Sequence, residues 1–407
     1  MSIIILITFL IGLLIAYLLS GKNYISLEVI SIASFGLIFI LPLISPFTEQ
    51  KWIYDDNFKS IIWFSLIVSI AALLNKKKLV LFRKKYSLRI KLIIPFFILI
   101  SLYISFRWLK LLISSNFDII GLLIANRVSE YLENAKDFSD FTLKIIAFIN
   151  LIYLVLIVYL FRNKRKFLAV LGYLNILVYV ILTTHTRFIL LSYLIVPFFY
   201  YNTYIKKFRT HHYILGIIAA GLFLSFTNFV RTGIVDQFNL DNPVELVLRQ
   251  VEIESVDDFY SVFDNIKSNR SDFDYGLQYF YYLPLTFIPK AIWTDKPIVS
   301  YFWRLTKDIT GAWPGKNNFV MTSTVYGEGY HQGGIFGIFI IYFFYIFYSR
   351  TYLGVIKHFE ELEPFKWFFL LHIPMDLRGA LSSILVTYIV GLIMVILLAR
   401  ILYFKTN

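Results

Sequence analysis

Long uninterrupted runs of apolar residues constrain this chain more than any other feature of its sequence. Residues 3–19 and 383–399 contain no charged side chain. A helix of about 20 apolar residues is long enough to cross the hydrocarbon core of a bilayer. Hydrophobic residues make up 58% of the 407 positions, which is too many for an ordinary soluble domain. The sequence therefore predicts an all-α integral membrane protein.

Hydropathy along the chain predicts about eleven transmembrane helices in a single membrane domain, residues 1–407. The first apolar run has no base before it and Lys22 just after it, which predicts an uncleaved first span with its start outside and Lys22 inside. The remaining spans are predicted near residues 25–45, 58–74, 92–113, 141–161, 167–184, 188–205, 213–230, 333–349, 366–382 and 383–403.

The net charge of +13 is concentrated in short basic segments. Residues 76–91, 162–166 and 206–209 are rich in lysine and arginine and contain no acid. The positive-inside rule places such short loops in the cytoplasm. Membrane topology thus explains the basic composition, and no nucleic-acid partner is expected.

The longest connection between predicted spans, residues 231–332, contains more acids than bases. A loop of this length is usually functional, and its charge predicts a large extracytoplasmic loop. Asn242, Pro243 and Glu245 form a helix-start pattern, followed by an amphipathic helix near residues 243–267. Residues 275–293 are apolar but contain Pro284 and Pro289, which favours a re-entrant or interfacial element over a simple span.

Basic side chains predicted at the outer face form the clearest candidate site. Arginine stays charged and binds phosphate oxygens through a fork of two donors, so converging arginines suit a diphosphate. The alternative is that each one anchors a helix end at the headgroups or pairs with an acid. Arg187 and Arg231 are preferred because they lie at the ends of predicted spans. The full predicted diphosphate-binding set is Arg187, Arg231, Arg127, Arg304, Arg378 and Lys290.

Three residues are candidate general bases. Glu328 and His331 lie three apart, just before Gly333 and Gly334, so a helical turn places both on one side. Either side chain is able to take a proton from a sugar hydroxyl. The alternative is a capped helix start in a glycine-rich turn. His185, two residues before Arg187, is the third candidate base, with a structural role as its alternative.

No metal or other cofactor is predicted. The chain has no cysteine, which excludes disulfides, thiol nucleophiles and thiol ligands. Asp272 and Asp274 match a minimal acid-x-acid pattern that some glycosyltransferases use to hold a metal, but acids are so common in this loop that the match is weak. Asp55 and Asp56 call for the same caution.

Several short motifs resemble the signature of a bacterial enzyme family. PKAIWTDKP at residues 289–297 is followed by TVYGEGY at 324–330 and GGIFG at 333–337. Thr186-Arg187-Phe188 opens one predicted span, and Val230-Arg231 closes another. The combination resembles bacterial oligosaccharide repeat unit polymerases, the Wzy-type O-antigen and capsule polymerases. The chain departs from that pattern at Lys290, where the family usually has arginine, and at His331-Gln332-Gly333, where Asn-Phe-Gly is expected.

The resemblance implies a metal-independent glycosyltransferase in the bacterial cytoplasmic (inner) membrane, with its active site facing outward. Such an enzyme transfers a growing glycan from undecaprenyl diphosphate to a new lipid-linked repeat unit and so builds lipopolysaccharide O-antigen or capsule. Its expected partners are undecaprenyl-diphosphate-linked oligosaccharides, membrane lipids and a chain-length regulator protein. The aromatic side chains expected to contact the glycan are Trp293, Tyr326 and Tyr330, although a belt at the membrane interface is the alternative.

Two other functions remain open. One is a transferase that uses a polyprenyl monophosphate sugar, with Asp55 or Asp56 as its carboxylate and a bound metal. The other is a flippase for lipid-linked oligosaccharides. Transporters more often show inverted repeats and short loops, so transport ranks behind the two enzymes.

Overall fold

The described part of this computed structural model is almost entirely helical. It comprises residues 1–24, 26–44, 50–74, 86–88, 90–117, 140–183, 191, 193–209, 211–212, 215–216, 219, 253–288, 292–298, 300–313, 320–357, 362–379 and 381–405. The helices are α1 (Ser2–Leu19), α2 (Leu27–Phe35), α3 (Leu41–Ile44), α4 (Asp56–Leu74), α5 (Ile90–Ser114), α6 (Asp140–Arg162), α7 (Lys166–Thr183), α8 (Val196–Tyr200), α9 (Ile253–Lys267), α10 (Leu283–Leu285), α11 (Tyr301–Thr310), α12 (Val325–Ile356), α13 (Glu363–Arg378) and α14 (Leu381–Leu402).

Shorter elements complete the described chain. Three π-helical turns occur at Gly36–Ile40, Tyr201–Ile205 and Gln278–Tyr282, and a 3₁₀ turn occurs at Lys51–Tyr54. The strands β1 (Tyr86–Leu88) and β2 (Tyr403–Lys405) pair antiparallel, with Ser87 opposite Phe404.

Among the described residues, five helical segments are long and apolar enough to cross a membrane: Ser2–Leu19, Leu27–Ile44, Asp56–Leu74, Ile93–Ser114 and Val325–Ile356. The predicted all-helical fold is confirmed, and these segments fit a membrane protein. The predicted eleven spans and the predicted large extracytoplasmic loop are not confirmed. The described apolar parts of α6 and α7, Phe148–Arg162 and Lys166–Leu182, are shorter, and most of the predicted span at 213–230 lies outside the described residues.

Apolar side chains are distributed in the way that a lipid environment favours. On α1, Ile3, Leu10 and Leu14 are 73%, 56% and 58% exposed. Such a continuous apolar surface is unfavourable in water but matches acyl chains. The interior is built mainly where α12 packs against α4 and α9, with α5, α6 and α7 packed together as a second group.

Specific hydrogen bonds connect helices across the apolar interior. The Asn175 side-chain oxygen accepts bonds from Trp108 Nε1 at 2.8 Å and Ser105 Oγ at 3.1 Å, which joins α7 to α5. Tyr326 Oη and Ser69 Oγ lie 2.9 Å apart and join α12 to α4. Arg350 Nη2 donates to the Leu73 carbonyl at 2.7 Å, so a cation satisfies the C-terminal end of α4.

Helix α9 lies within the amphipathic segment predicted from the sequence. Its buried side chains Val256, Phe259, Val262 and Phe263 form one face. The Phe259 ring centre is 5.0 Å from that of Phe58 on α4, so α9 packs directly on a candidate membrane helix. The predicted start at residues 242–245 lies outside the described residues.

The segment predicted as re-entrant or interfacial contains only short turns in its described part. The π-helical turn Gln278–Tyr282 continues into the three-residue helix α10. Tyr275 and Phe280 are 78% and 87% exposed. These turns bring Asp274 and Gln278 close to α11 and α12, where the candidate site lies.

Helix α12 is broken at a pair of glycines. Gly333 has φ 175° and ψ 36°, and Gly334 has φ 62° and ψ −142°. The positive φ of Gly334 is accessible mainly to glycine. The break brings the two halves of the helix into backbone contact, because a Cβ built on Gly337 would lie 2.0 Å from the Gly329 carbonyl oxygen. Gly329 and Gly337 are therefore required by close approach of the backbone.

We predict that Gly337→Ala destabilises the protein by at least about 1–3 kcal/mol, because the added methyl group has to displace backbone rather than a movable side chain. Gly333→Ala is the matched control, since a Cβ there meets no atom within 4 Å. The measurement is thermal unfolding of the purified protein in detergent. Equal unfolding midpoints for the two variants would contradict the proposed backbone contact.

Candidate functional site

A buried network of polar side chains lies beside the break in α12, and Asp274 is at its centre. Asp274 Oδ1 accepts a hydrogen bond from Arg304 Nη2 at 3.0 Å. Asp274 Oδ2 accepts bonds from Gln332 Nε2 at 2.8 Å and from the Gln278 backbone N–H at 3.2 Å. The Asp274 backbone N–H donates to the His331 carbonyl at 2.8 Å. One residue thus connects the turn region, α11 and α12.

Arg304 of α11 is held by several protein groups. Besides its ion pair with Asp274, its Nη1 donates to Gln278 Oε1 at 2.5 Å. Its guanidinium carbon lies 3.5 Å from the Tyr282 ring centre, a cation–π arrangement. The side chains of Arg304 and Asp274 are 10% and 7% exposed. The predicted diphosphate ligand Arg304 therefore has its charge compensated by Asp274, and its role in binding phosphate stays a prediction.

His331 belongs to the same network. Its ring is 5% exposed, and its Nδ1 lies 3.3 Å from Tyr301 Oη. Burial, followed by the negative charge of Glu328, raises the pKa of the Tyr301 phenol well above its ordinary value. The phenol therefore keeps its proton over the whole physiological range and supplies a fixed polar contact for the imidazole.

Glu328 lies one helical turn before His331 and has a further partner at the start of α14. It has no exposed surface, and both of its carboxylate oxygens lie 3.3 Å from the Ser382 backbone nitrogen. Ser382 is in the first turn of α14, where unpaired N–H groups and the helix dipole favour an anion. Glu328 thus lies against the start of α14, and its role as a general base stays a prediction.

The remaining described candidates are separate from the network or fill the core. Arg378 Nε donates to Ser255 Oγ at 2.9 Å and so joins α13 to α9. Tyr326 is completely buried, with its ring 5.3 Å from that of Tyr342. The predicted glycan contact of Tyr326 does not fit this position, because its ring faces are covered by core residues. Tyr330 packs against Phe263 at 5.7 Å, whereas Trp293 is 38% exposed.

Five predicted site residues lie outside the described residues, and their roles stay predictions. They are Arg127, His185, Arg187, Arg231 and Lys290.

The acids considered for metal binding have ordinary structural partners or are exposed. Asp55 Oδ1 accepts the Asn57 backbone N–H at 2.9 Å at the start of α4, and its Oδ2 lies 3.5 Å from Lys267 Nζ. Asp56 pairs with Lys59 at 2.9 Å. Asp272 is exposed. Within the described ranges, no group of three or more His, Asp or Glu side chains is arranged to hold a metal ion.

Sequence reasoning did not identify the central position of Asp274. The sequence showed the residue only as half of a weak acid-x-acid pattern, whereas in the structure Asp274 is paired with Arg304 and Asp272 is exposed. A usable signal was the presence of two glutamines, Gln278 among aromatic residues and Gln332 just before two glycines. Both are buried, and a buried amide requires a polar partner.

We predict that Asp274→Asn destabilises the protein by about 3–5 kcal/mol, because it leaves the buried Arg304 charge without its carboxylate. Asp272→Asn, two residues earlier and exposed, is the control and is expected to change stability by less than about 0.5 kcal/mol. Thermal unfolding in detergent measures both. An unchanged midpoint for Asp274→Asn would show that the pair does not stabilise the fold.

Comparisons of the chain with protein-family models, with curated proteins and with solved structures give no match.

Proposed function

We propose that this protein is an oligosaccharide repeat unit polymerase of the bacterial cytoplasmic membrane, with about eleven spans and residues 231–332 as a large outer loop. The observation that carries the proposal is the break in α12, where buried His331 and Gln332 meet the pair of Asp274 and Arg304. In a bilayer, broken backbone and buried ionisable groups are costly and occur mainly where they form ligand sites. The motif resemblance supplies the type of reaction.

In the proposed reaction, the hydroxyl of the acceptor sugar loses its proton to a base and attacks the anomeric carbon of the donor. A new glycosidic C–O bond forms while the C–O bond to the diphosphate breaks, and undecaprenyl diphosphate leaves. Arg187 and Arg231 are proposed to stabilise its negative charge, with Arg127, Arg378 and Lys290 as further contacts. No metal is required for any of these steps.

The geometry favours His331 over Glu328 as the base. The Glu328 carboxylate is occupied at the start of α14, whereas His331 lies in the network at the helix break. Gln332 adds a suitable acceptor, because its Oε1 is buried and has no hydrogen-bond partner among the described residues. A buried amide oxygen without a donor is unfavourable, and a sugar hydroxyl beside His331 would satisfy it.

We predict that Arg187→Ala and Arg231→Ala each lower polymerisation by on the order of 10²–10³-fold, because the leaving diphosphate loses a charged donor. Arg270→Ala, at an exposed position near the end of α9, is the control. The assay uses purified protein in detergent with an undecaprenyl-diphosphate-linked repeat unit, and product ladders are separated on gels. Normal ladders at normal protein amounts for both arginine variants would refute the assignment.

Two substitutions by glutamine distinguish His331 from Glu328 as the base. His331→Gln is expected to lower the rate by on the order of 10²–10⁴-fold with little change in thermal unfolding. Glu328→Gln keeps an oxygen that accepts the Ser382 N–H and is expected to retain most of the activity. Full activity of His331→Gln together with loss in Glu328→Gln would assign the base to Glu328 instead.

Transport of a lipid-linked oligosaccharide is the second candidate function, and the broken helix is the observation that favours it. Discontinuous membrane helices also form substrate sites in transporters. The detergent assay separates the two functions, because a polymerase lengthens the lipid-linked glycan where no membrane is present. A transporter leaves the glycan length unchanged under the same conditions.

A further inference from the structure

A cavity of about 630 Å³ lies between the end of α1, the π-helical turn at Tyr201–Ile205 and the start of α13. Its lining residues are distant in sequence from the residues of the Asp274 network. Its lining combines cationic, amide, hydroxyl and aromatic side chains. The lining side chains include Lys22, Lys207, Arg209, Lys366, Asn202 and Trp367. No residue predicted to bind the glycan or the diphosphate contributes to it.

The rim of the cavity is strongly basic. Lys22, Lys207 and Arg209 are all exposed, and within the described part of the chain none of them forms an ion pair with a carboxylate. The fourth cation, Lys366, is bonded to Glu363 at 2.6 Å. Glu363 is the one acid among the lining residues, so the cavity has an excess of three positive charges and attracts anions.

The floor of the cavity is rigid. Trp367 is 2% exposed and Phe199 is 5% exposed, and their rings stack with centres 6.0 Å apart. The Asn202 side-chain oxygen accepts the Phe208 backbone N–H at 2.8 Å, which fixes the segment that carries Lys207 and Arg209. The cationic side chains are therefore exposed groups at the rim of a concave surface, an arrangement that suits a compact anion.

Exposed apolar side chains continue from this end of the molecule. Leu18 and Ile205 are 57% and 62% exposed, and both lie within a few residues of lining positions. The basic segments that contribute Lys22 and Lys207 are the ones that sequence predicts at the cytoplasmic face, where anionic lipids concentrate basic residues. A headgroup in the cavity would thus have apolar surface available for its acyl chains.

We propose that this cavity binds the phosphate group of an anionic ligand, with an anionic phospholipid headgroup as the source that the surrounding apolar surface favours. Lys22, Lys207 and Arg209 supply the positive charge, and Asn202 and Trp367 line the cavity around the headgroup. A soluble phosphate would use the same cationic contacts but not the apolar surface of Leu18 and Ile205. The site is independent of the proposed polymerase reaction.

The test measures ligand binding to the full-length protein in a neutral detergent by native mass spectrometry. The probes are dioctanoyl phosphatidylglycerol, dioctanoyl phosphatidylcholine and inorganic phosphate. The variant combines Lys22→Gln, Lys207→Gln and Arg209→Gln, all at exposed positions. The matched control combines Lys164→Gln, Arg165→Gln and Lys166→Gln, which removes the same two lysines and one arginine from exposed positions outside the cavity.

We expect phosphatidylglycerol to bind the parent protein and the control at least about tenfold more tightly than the cavity variant, because each cation near an anionic headgroup contributes to binding. Phosphatidylcholine binding is expected to change little. Binding of inorganic phosphate with the same dependence on the cavity cations, but without preference for phosphatidylglycerol, would support the phosphate site and assign it to soluble ligands. The proposal would be overturned if the cavity variant and the control lost phosphatidylglycerol binding equally. It would also be overturned if neither phosphatidylglycerol nor inorganic phosphate bound the parent protein.

Glu363→Gln changes the charge of the cavity in the opposite direction from the triple variant. It frees Lys366 from its ion pair and leaves the cavity with one more uncompensated positive charge. We expect it to tighten phosphatidylglycerol binding several-fold. Weaker binding in this variant, with unchanged thermal unfolding, would contradict a site that acts through its positive charge.

Discussion

The close backbone contact between Gly329 and Gly337 is the constraint on which the candidate site depends. Two helical segments meet there without side chains between them, and the chain accommodates this by leaving the helical conformation at Gly333 and Gly334. The break ends the first segment early, so carbonyls at its end need other donors. The Asp274 N–H serves the His331 carbonyl in this way.

The first segment of α12 is held on two sides by buried charges. Glu328 faces the start of α14, and Gln332 faces Asp274, which is itself neutralised by Arg304. Buried ionic groups add little net stability compared with apolar packing, but removing one partner is very unfavourable. Such an arrangement gives the helix break one defined geometry. The proposed reaction requires this, because the acceptor hydroxyl has to be oriented toward His331.

Helix α13 extends from the basic cavity to helix α9. Helix α13 begins at Glu363 and Lys366, which line the cavity, and ends at Arg378, which bonds to Ser255 of α9. With 16 residues, it spans about 24 Å at 1.5 Å per residue. The cavity therefore lies at the opposite end of α13 from its contact with α9, and α9 in turn packs on the broken helix.

The sequence by itself determined the helical membrane character, because apolar runs of span length have few alternatives in water or lipid. It also indicated the helix containing Phe259 and Val262, since local periodicity defines a buried face. It identified Glu328 and His331 as notable and placed them on one side of a helical turn. Only the tertiary structure decided that Glu328 lies against the Ser382 backbone N–H, that Tyr326 lies in the core, and that Asp274 pairs with Arg304. These contacts link residues distant in sequence, and no local pattern encodes which distant groups a turn or a broken helix brings together.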